Sequence, residues 1–75
     1  MRILSVIPND AQLITVHFDN NHSVIVNMKG KLQTARFSNL RNRELFMAAN
    51  TDGKAILWAG GISIAISEII EIISK

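Results

Sequence analysis

From Gln12 to Met28, apolar and polar side chains alternate in two runs, and the residues between the runs decide how they pair. Ile14, Val16 and Phe18 share one side of the first run, opposite Thr15 and His17, while Val24, Val26 and Met28 share one side of the second, opposite Ser23, Ile25 and Asn27. Period-two alternation marks half-buried strands. A slip of one residue in register would carry a whole apolar side into solvent. A two-residue turn at Asn20-Asn21 opposes Phe18 to Ser23 and Ile14 to Asn27, mixing apolar with polar neighbours. A three-residue loop, Asp19-Asn20-Asn21, instead opposes Val16 to Val24 and Ile14 to Val26. The pattern therefore predicts a hairpin on a type I turn closed by a bulge residue. Asn21 takes the left-handed position, which Asn tolerates better than other non-glycine residues. Leu13 is the one apolar residue on the outer side of the first run.

The rest of the chain divides around this hairpin. Residues 2 to 7 are Ile-rich and β-favouring and stop at Pro8-Asn9-Asp10, a turn cluster in which Pro8 cannot donate a ladder bond. Residues 29 to 36, polar and basic around Gly30, read as a loop or single turn across the end of the sheet. Asn39 or Asn42 is placed to cap a short helix through Phe46 and Met47, with Leu40 and Phe46 pointing inward. Thr51-Asp52-Gly53-Lys54 signals a turn between Met47 to Asn50 and a strand Ala55 to Trp58, hence a second hairpin, and Gly60-Gly61 breaks that strand. At the end of the chain, Ile66, Ile69, Ile70 and Ile73 recur at helical spacing, and Ile72 widens the apolar face. Glu68 and Lys75 suit the helix dipole, and Glu71 to Lys75 is a favourable i,i+4 pair. Isoleucine is a middling helix former, so packing must hold this helix. The expected fold class is α+β: small antiparallel β-hairpins packed with one short central helix and a C-terminal amphipathic helix.

Seventy-five residues allow one domain, 1 to 75, and the absence of cysteine removes disulfides and thiolate metal or redox sites. With 48% hydrophobic and 19% charged residues the composition is globular. A domain this small buries only about 60 to 65% of its unfolded surface, so self-association as a homo-oligomer, or a partner, is the favoured supplement. The uncharged run Ala55 to Ser67 has thirteen residues, short of the roughly 18 to 20 that span a bilayer. Arg2 precedes five residues before Pro8, shorter than a secretory apolar region, so the expected location is cytoplasmic.

The net charge of +2 is unevenly spread. Between residues 29 and 54, Lys29, Lys31, Arg36, Arg41, Arg43 and Lys54 face only Glu44 and Asp52, a surplus of four positive charges. With Phe37 in its midst this segment invites a nucleic-acid reading, but no helix-turn-helix or stacking aromatic pair accompanies it. That leaves weak binding without sequence preference, and argues for an acidic partner protein instead. His17 and His22 are the only histidines, too few with Asp19 for a closed metal site. No serine stands in a nucleophile elbow, and Gly60-Gly61 lacks the spaced glycines and lysine of a phosphate loop. No metal, cofactor or catalytic residue is implied. The sequence reads as a non-catalytic interaction module with Arg36, Arg41 and Arg43 as the polar rim of an interface. The alternative is a small ligand-binding protein or enzyme using the polar strand face around His17 and Asn27.

The ordered residues also resemble a small bacterial family known as domain of unknown function 2442, over nearly the whole chain. The resemblance is carried by Pro8, by Leu13, Val16, Phe18 and Asp19 leading into the hairpin, by Phe37 and Leu40, by Phe46, by Asp52-Gly53, and by Ile56, Trp58, Gly61 and Ile64. It implies a small α+β fold and carries over no catalytic residue. The chain departs from the family's usual Gly at Asn21, Asp at Asn27, Asn42 and Ser63, and Pro at Ala59, which dilutes the acidic character. Members are often encoded beside a small protein of a second uncharacterised family, domain of unknown function 4160, or fused to a helix-turn-helix domain. The resemblance thus implies an antitoxin-like or regulatory partner-binding role, with a toxin-like neighbour as the partner.

Overall fold

The computed structural model describes residues 1–73, which form two three-stranded antiparallel sheets, short helices and a C-terminal helix, an α+β fold. The first sheet is a meander of β1 (Ile3–Pro8), β2 (Leu13–Phe18) and β3 (Ser23–Asn27). Two 3-10 helices, Lys31–Gln33 and Ala35–Arg41, lead into α1 (Arg43–Met47). A second meander follows, β4 (Asn50–Thr51), β5 (Ala55–Trp58) and β6 (Ile62–Ala65), and runs directly into α2 (Ile66–Ile73).

The first hairpin has the register that its pattern requires. Val16 pairs with Val24 and Ile14 with Val26, Phe18 N–H donates to His22 O at 2.8 Å, and Asn21 sits at φ 66°. Ile14, Val16, Phe18, Val26 and Met28 are buried, with Val24 half-buried at the sheet margin. The turn from β1 is held by Asn9, whose Oδ1 accepts the N–H groups of Ala11 at 2.9 Å and Leu13 at 3.2 Å. Gln12 closes it at φ 63°, and its carbonyl accepts Met28 N–H at 2.9 Å.

Residues 29 to 36, expected as a loop or single turn, hold the first 3-10 helix and open a second one of seven residues. On a 3-10 helix residues i and i+3 eclipse, so Phe37 and Leu40 lie on one side, and both are buried. Asn42, rather than Asn39, caps α1, its Oδ1 accepting Leu45 N–H at 3.1 Å. Phe46 is buried, as expected, and its ring stacks on Trp58 at 6.4 Å between centroids. The Trp58 indole N–H donates to the Phe46 carbonyl at 3.1 Å, which satisfies the polar end of a buried ring.

The second hairpin also forms, with Asn50 opposite Leu57 and Thr51 opposite Ile56. Its first strand is shorter and later than Met47 to Asn50, because α1 occupies Met47. Asp52 Oδ1 accepts the N–H groups of Lys54 at 2.8 Å and Ala55 at 3.1 Å. These backbone donors, the Lys54 bond first, hold the Asp52 carboxyl below its ordinary pKa. Strand β6 carries no separate signal in the sequence, because its four residues of Ile/Ser/Ile/Ala alternation merge with the helical isoleucines that follow. On α2 the buried centre is Ile69, flanked by half-buried Ile66 and Ile72, whereas Ile70 and Ile73 are exposed. The apolar stripe is thus centred elsewhere than the i, i+3, i+4, i+7 reading put it. The Glu71 to Lys75 pair lies outside the described residues.

One core serves both sheets. Ile14, Val16 and Val26 of the first sheet, Ile56, Trp58 and Ile64 of the second, and Ile69 of α2 belong to a single buried cluster. β1 lies against β4, and α2 lies against β3 and β6, so the helix bridges the two sheets on the far side. Where the sheets meet, Ile3 N–H donates to Gly53 O at 2.9 Å. Gly53 sits at φ 96°, and a Cβ there would stand 2.7 Å from the Arg2 guanidinium carbon. Gly53→Ala is therefore expected to destabilise the fold by about 1 kcal/mol or more, measured by urea unfolding, and Arg2→Ala should recover the steric part alone. Conversely Asn21→Gly, which relieves a left-handed non-glycine residue, should raise stability by a few tenths of a kcal/mol to about 1 kcal/mol in the same assay.

Candidate interaction surface

The three arginines of the basic segment all lie on the surface, and each is tied to another part of the chain. Arg36, at the start of the second 3-10 helix, donates from Nη1 to Glu68 Oε2 at 2.7 Å and from Nη2 to Glu68 Oε1 at 3.1 Å. Its Nη2 also donates to the Ser63 carbonyl at 2.8 Å, and its guanidinium carbon lies 4.6 Å from the centroid of the Phe37 ring. One side chain thus joins the central segment to β6 and α2. Arg41 Nε donates to the Leu32 carbonyl at 2.8 Å, joining the two 3-10 helices. Arg43 Nε donates to Asp10 Oδ1 at 2.6 Å, joining α1 to the β1–β2 turn.

Arg41 and Arg43 come together. Both line a recess of about 120 Å³ with Asn9, Asp10, Gln12, Leu40 and Phe46. Arg36 stands apart from them, against α2. The Glu68 and Asp10 partners are 32 and 33 positions away in sequence, so no local signal named them. A second cleft of about 350 Å³ opens between the end of β3 and α2, lined by Asn27, Gly30, Lys31, Thr34, Glu71 and Ile72. It brings Asn27 of the polar strand face to Lys31.

The outer face of the first sheet carries two cross-strand rows. Ser5, His17 and Ser23 are in register in one, Ile7, Thr15 and Ile25 in the next. Ile7 is 54% exposed and Ile25 63%. β1 contributes Ile7 to this face in phase with Ser5 because the register shift between Ile3 and Ser5 precedes both. His22 lies in the loop, and its N–H donates to Asn20 Oδ1 at 3.1 Å. Among the described residues there is no group of three or more His, Asp or Glu that could hold a metal ion. No helix among them is long and apolar enough to cross a membrane.

No protein-family model, curated protein or solved structure matches the chain.

Glu68 is held below the ordinary glutamate pKa first by the hydrogen bond from Arg36, with partial burial opposing and the Arg36 charge adding. A carboxylate whose folded pKa is depressed contributes stability that is present above its unfolded pKa, and loses it as pH falls through the folded value. Wild type should therefore exceed Glu68→Gln in stability at neutral pH, and the gap should close as pH falls below about 4. Chemical denaturation at stepped pH checks this, with Arg36→Gln expected to show the same closing gap.

Proposed function

We propose that the chain is a non-catalytic protein-interaction module, antitoxin-like or regulatory, that binds another small cytoplasmic protein bearing acidic groups. The observation that carries this reading is the meeting of Arg41 and Arg43 at one recess. Each uses its Nε internally, on Leu32 O and Asp10 respectively, and Arg41 Nη2 also donates to Gln33 Oε1 at 3.4 Å, while both residues remain exposed. An arginine already held at Nε is pre-oriented, so less conformational freedom is lost when it meets a partner's carboxylate. In this proposal Arg41 and Arg43 form the polar rim of the interface, and Arg36 fixes the segment that carries them. Nucleic acid is a minor partner here, since phosphate contacts alone give binding without sequence preference.

Membership of the domain of unknown function 2442 family belongs to the same proposal. What supports it is the structural work of the residues on which the resemblance rests: Phe37, Leu40, Phe46 and Trp58 are buried, and Asp52 and Gly53 build the β4–β5 turn. Two of the departures are structurally mild. Asn27 and Asn42 each accept a backbone N–H through Oδ1, from Lys29 at 2.9 Å and Leu45 at 3.1 Å. An aspartate would accept the same bonds.

A second reading, a ligand-binding protein or small enzyme on the polar strand face, is favoured by one observation. His17 stands in register between Ser5 and Ser23. Binding assays separate the two readings. With a partner isolated from native cytoplasm and then purified, Arg41→Gln/Arg43→Gln should slow association on the order of tenfold at low salt and flatten its salt dependence. Arg36→Gln should act mainly through stability. An unchanged association rate in the double variant, or turnover of a substrate that His17→Ala abolishes, would overturn the interaction reading.

A further inference from the structure

We propose that the outer face of the β1–β2–β3 sheet is a self-association surface, covered by a second copy of this chain. This surface is separate from the Arg41/Arg43 recess. The accessible surface of the chain, 4624 Å², is close to the roughly 4,600 Å² expected of a compact monomer of its mass. A general excess of exposed surface is therefore not the motive. The motive is placement: Ile7 and Ile25, two large aliphatic side chains more than half exposed, flank Thr15 in one cross-strand row of a sheet whose other face is already committed to the core.

Charge points to a copy of the same chain as the occupant. Neither the Ile7–Thr15–Ile25 row nor the Ser5–His17–Ser23 row beside it contains a lysine, arginine, aspartate or glutamate. The formal charges nearest the strands, Arg2, Asp10, Asp19 and Lys29, sit beyond the strand ends. Two such faces can meet without opposing like charges, whereas an acidic or basic partner finds no complement on them. The layout is also self-complementary. A two-fold axis running along β2 lays Ile7 of one copy over Ile25 of the other, Thr15 over Thr15, and Ser5 over Ser23. Such a contact is isologous, and it is compatible with aligned face-to-face sheet packing.

The size of the face sets the strength. Three strands about 4.8 Å apart and about five residues long at 3.3 Å each span roughly 14 by 17 Å. Two such faces come to roughly 480 Å² in projection, well below the roughly 1,200 Å² of buried surface that separates transient from stable complexes. The dimer is accordingly weak and concentration-dependent.

Sedimentation equilibrium of the full chain from micromolar to millimolar concentration tests this. Wild type should pass from monomer to dimer, while Ile7→Lys and Ile25→Glu alone should each remain monomeric over the same range. Both positions are exposed, so circular dichroism and melting temperature should stay near wild type. An equimolar mixture of the two variants should associate again, because the axis sets the new lysine over the new glutamate and leaves the other Ile7–Ile25 contact intact. A wild-type chain that stays monomeric at millimolar concentration, or single variants that dimerise as wild type does, overturns the proposal. A mixture that fails to associate while wild type does so overturns the two-fold placement. Arg41→Gln/Arg43→Gln should dimerise as wild type, which keeps failure here distinct from failure of the arginine rim.

Discussion

Neither three-stranded sheet can bury its apolar face alone, and the architecture follows from that constraint. Small sheets need a second layer to be stable. Here the inner faces of both meanders and Ile69 of α2 fill one cluster. The junction at Ile3 and Gly53 sets how closely the sheets approach, since the hydrogen bond between them requires backbone contact and Arg2 lies over the glycine. A side chain at position 53 would displace the Arg2 guanidinium and carry the strain of a positive φ. On the opposite side α2 spans β3 and β6, so a helix of eight residues completes what neither sheet provides.

Between the two meanders the chain runs through two 3-10 helices and the five-residue α1, and the arginines contribute most by where they bind. Exposed ion pairs are individually weak. Arg36 and Arg41, however, donate to the backbone carbonyls of Ser63 and Leu32, which pins the path of the 3-10 segments relative to their neighbours. The basic surplus read in the sequence is thus partly internal bonding of the segment that holds the 3-10 helices and α1. That same bonding holds Arg41 and Arg43 beside one recess, so structural and binding roles are compatible in a single side chain.

Strong local patterns were legible and distant pairings were not. The first hairpin followed from parity alone, because only one loop length keeps Val16 opposite Val24. Leu40 and Phe46 were readable as inward-facing, and the Asp52-Gly53 turn announced the second hairpin. The 3-10 helices escaped because three-residue periodicity over one or two turns resembles an irregular loop. β6 escaped because its isoleucines continue into those of α2, where periods of two and of 3.6 overlap over too few residues to separate. At the surface, charge type and segment were legible, but the Glu68 and Asp10 partners depended on tertiary contacts across more than thirty residues.

The outer sheet face differs from these cases, because its apolar row followed from the sequence once register was known. Alternation that sends Val24 and Val26 inward must send Ile25 outward, and pairing β1 with β2 through Val6 and Val16 must do the same for Ile7. On a solvated face threonine, serine or lysine would satisfy strand propensity as well as isoleucine does, and edge strands ordinarily carry charge that discourages further association. β1 and β3 are the outer strands of this sheet and carry none within their spans. In the core local preference and burial agree, whereas Leu4, Ile70 and Ile73 are exposed apolar residues that lie outside any such cross-strand row. A row that departs from that agreement without relieving strain or filling the core is where a requirement from outside the monomer is expected to act.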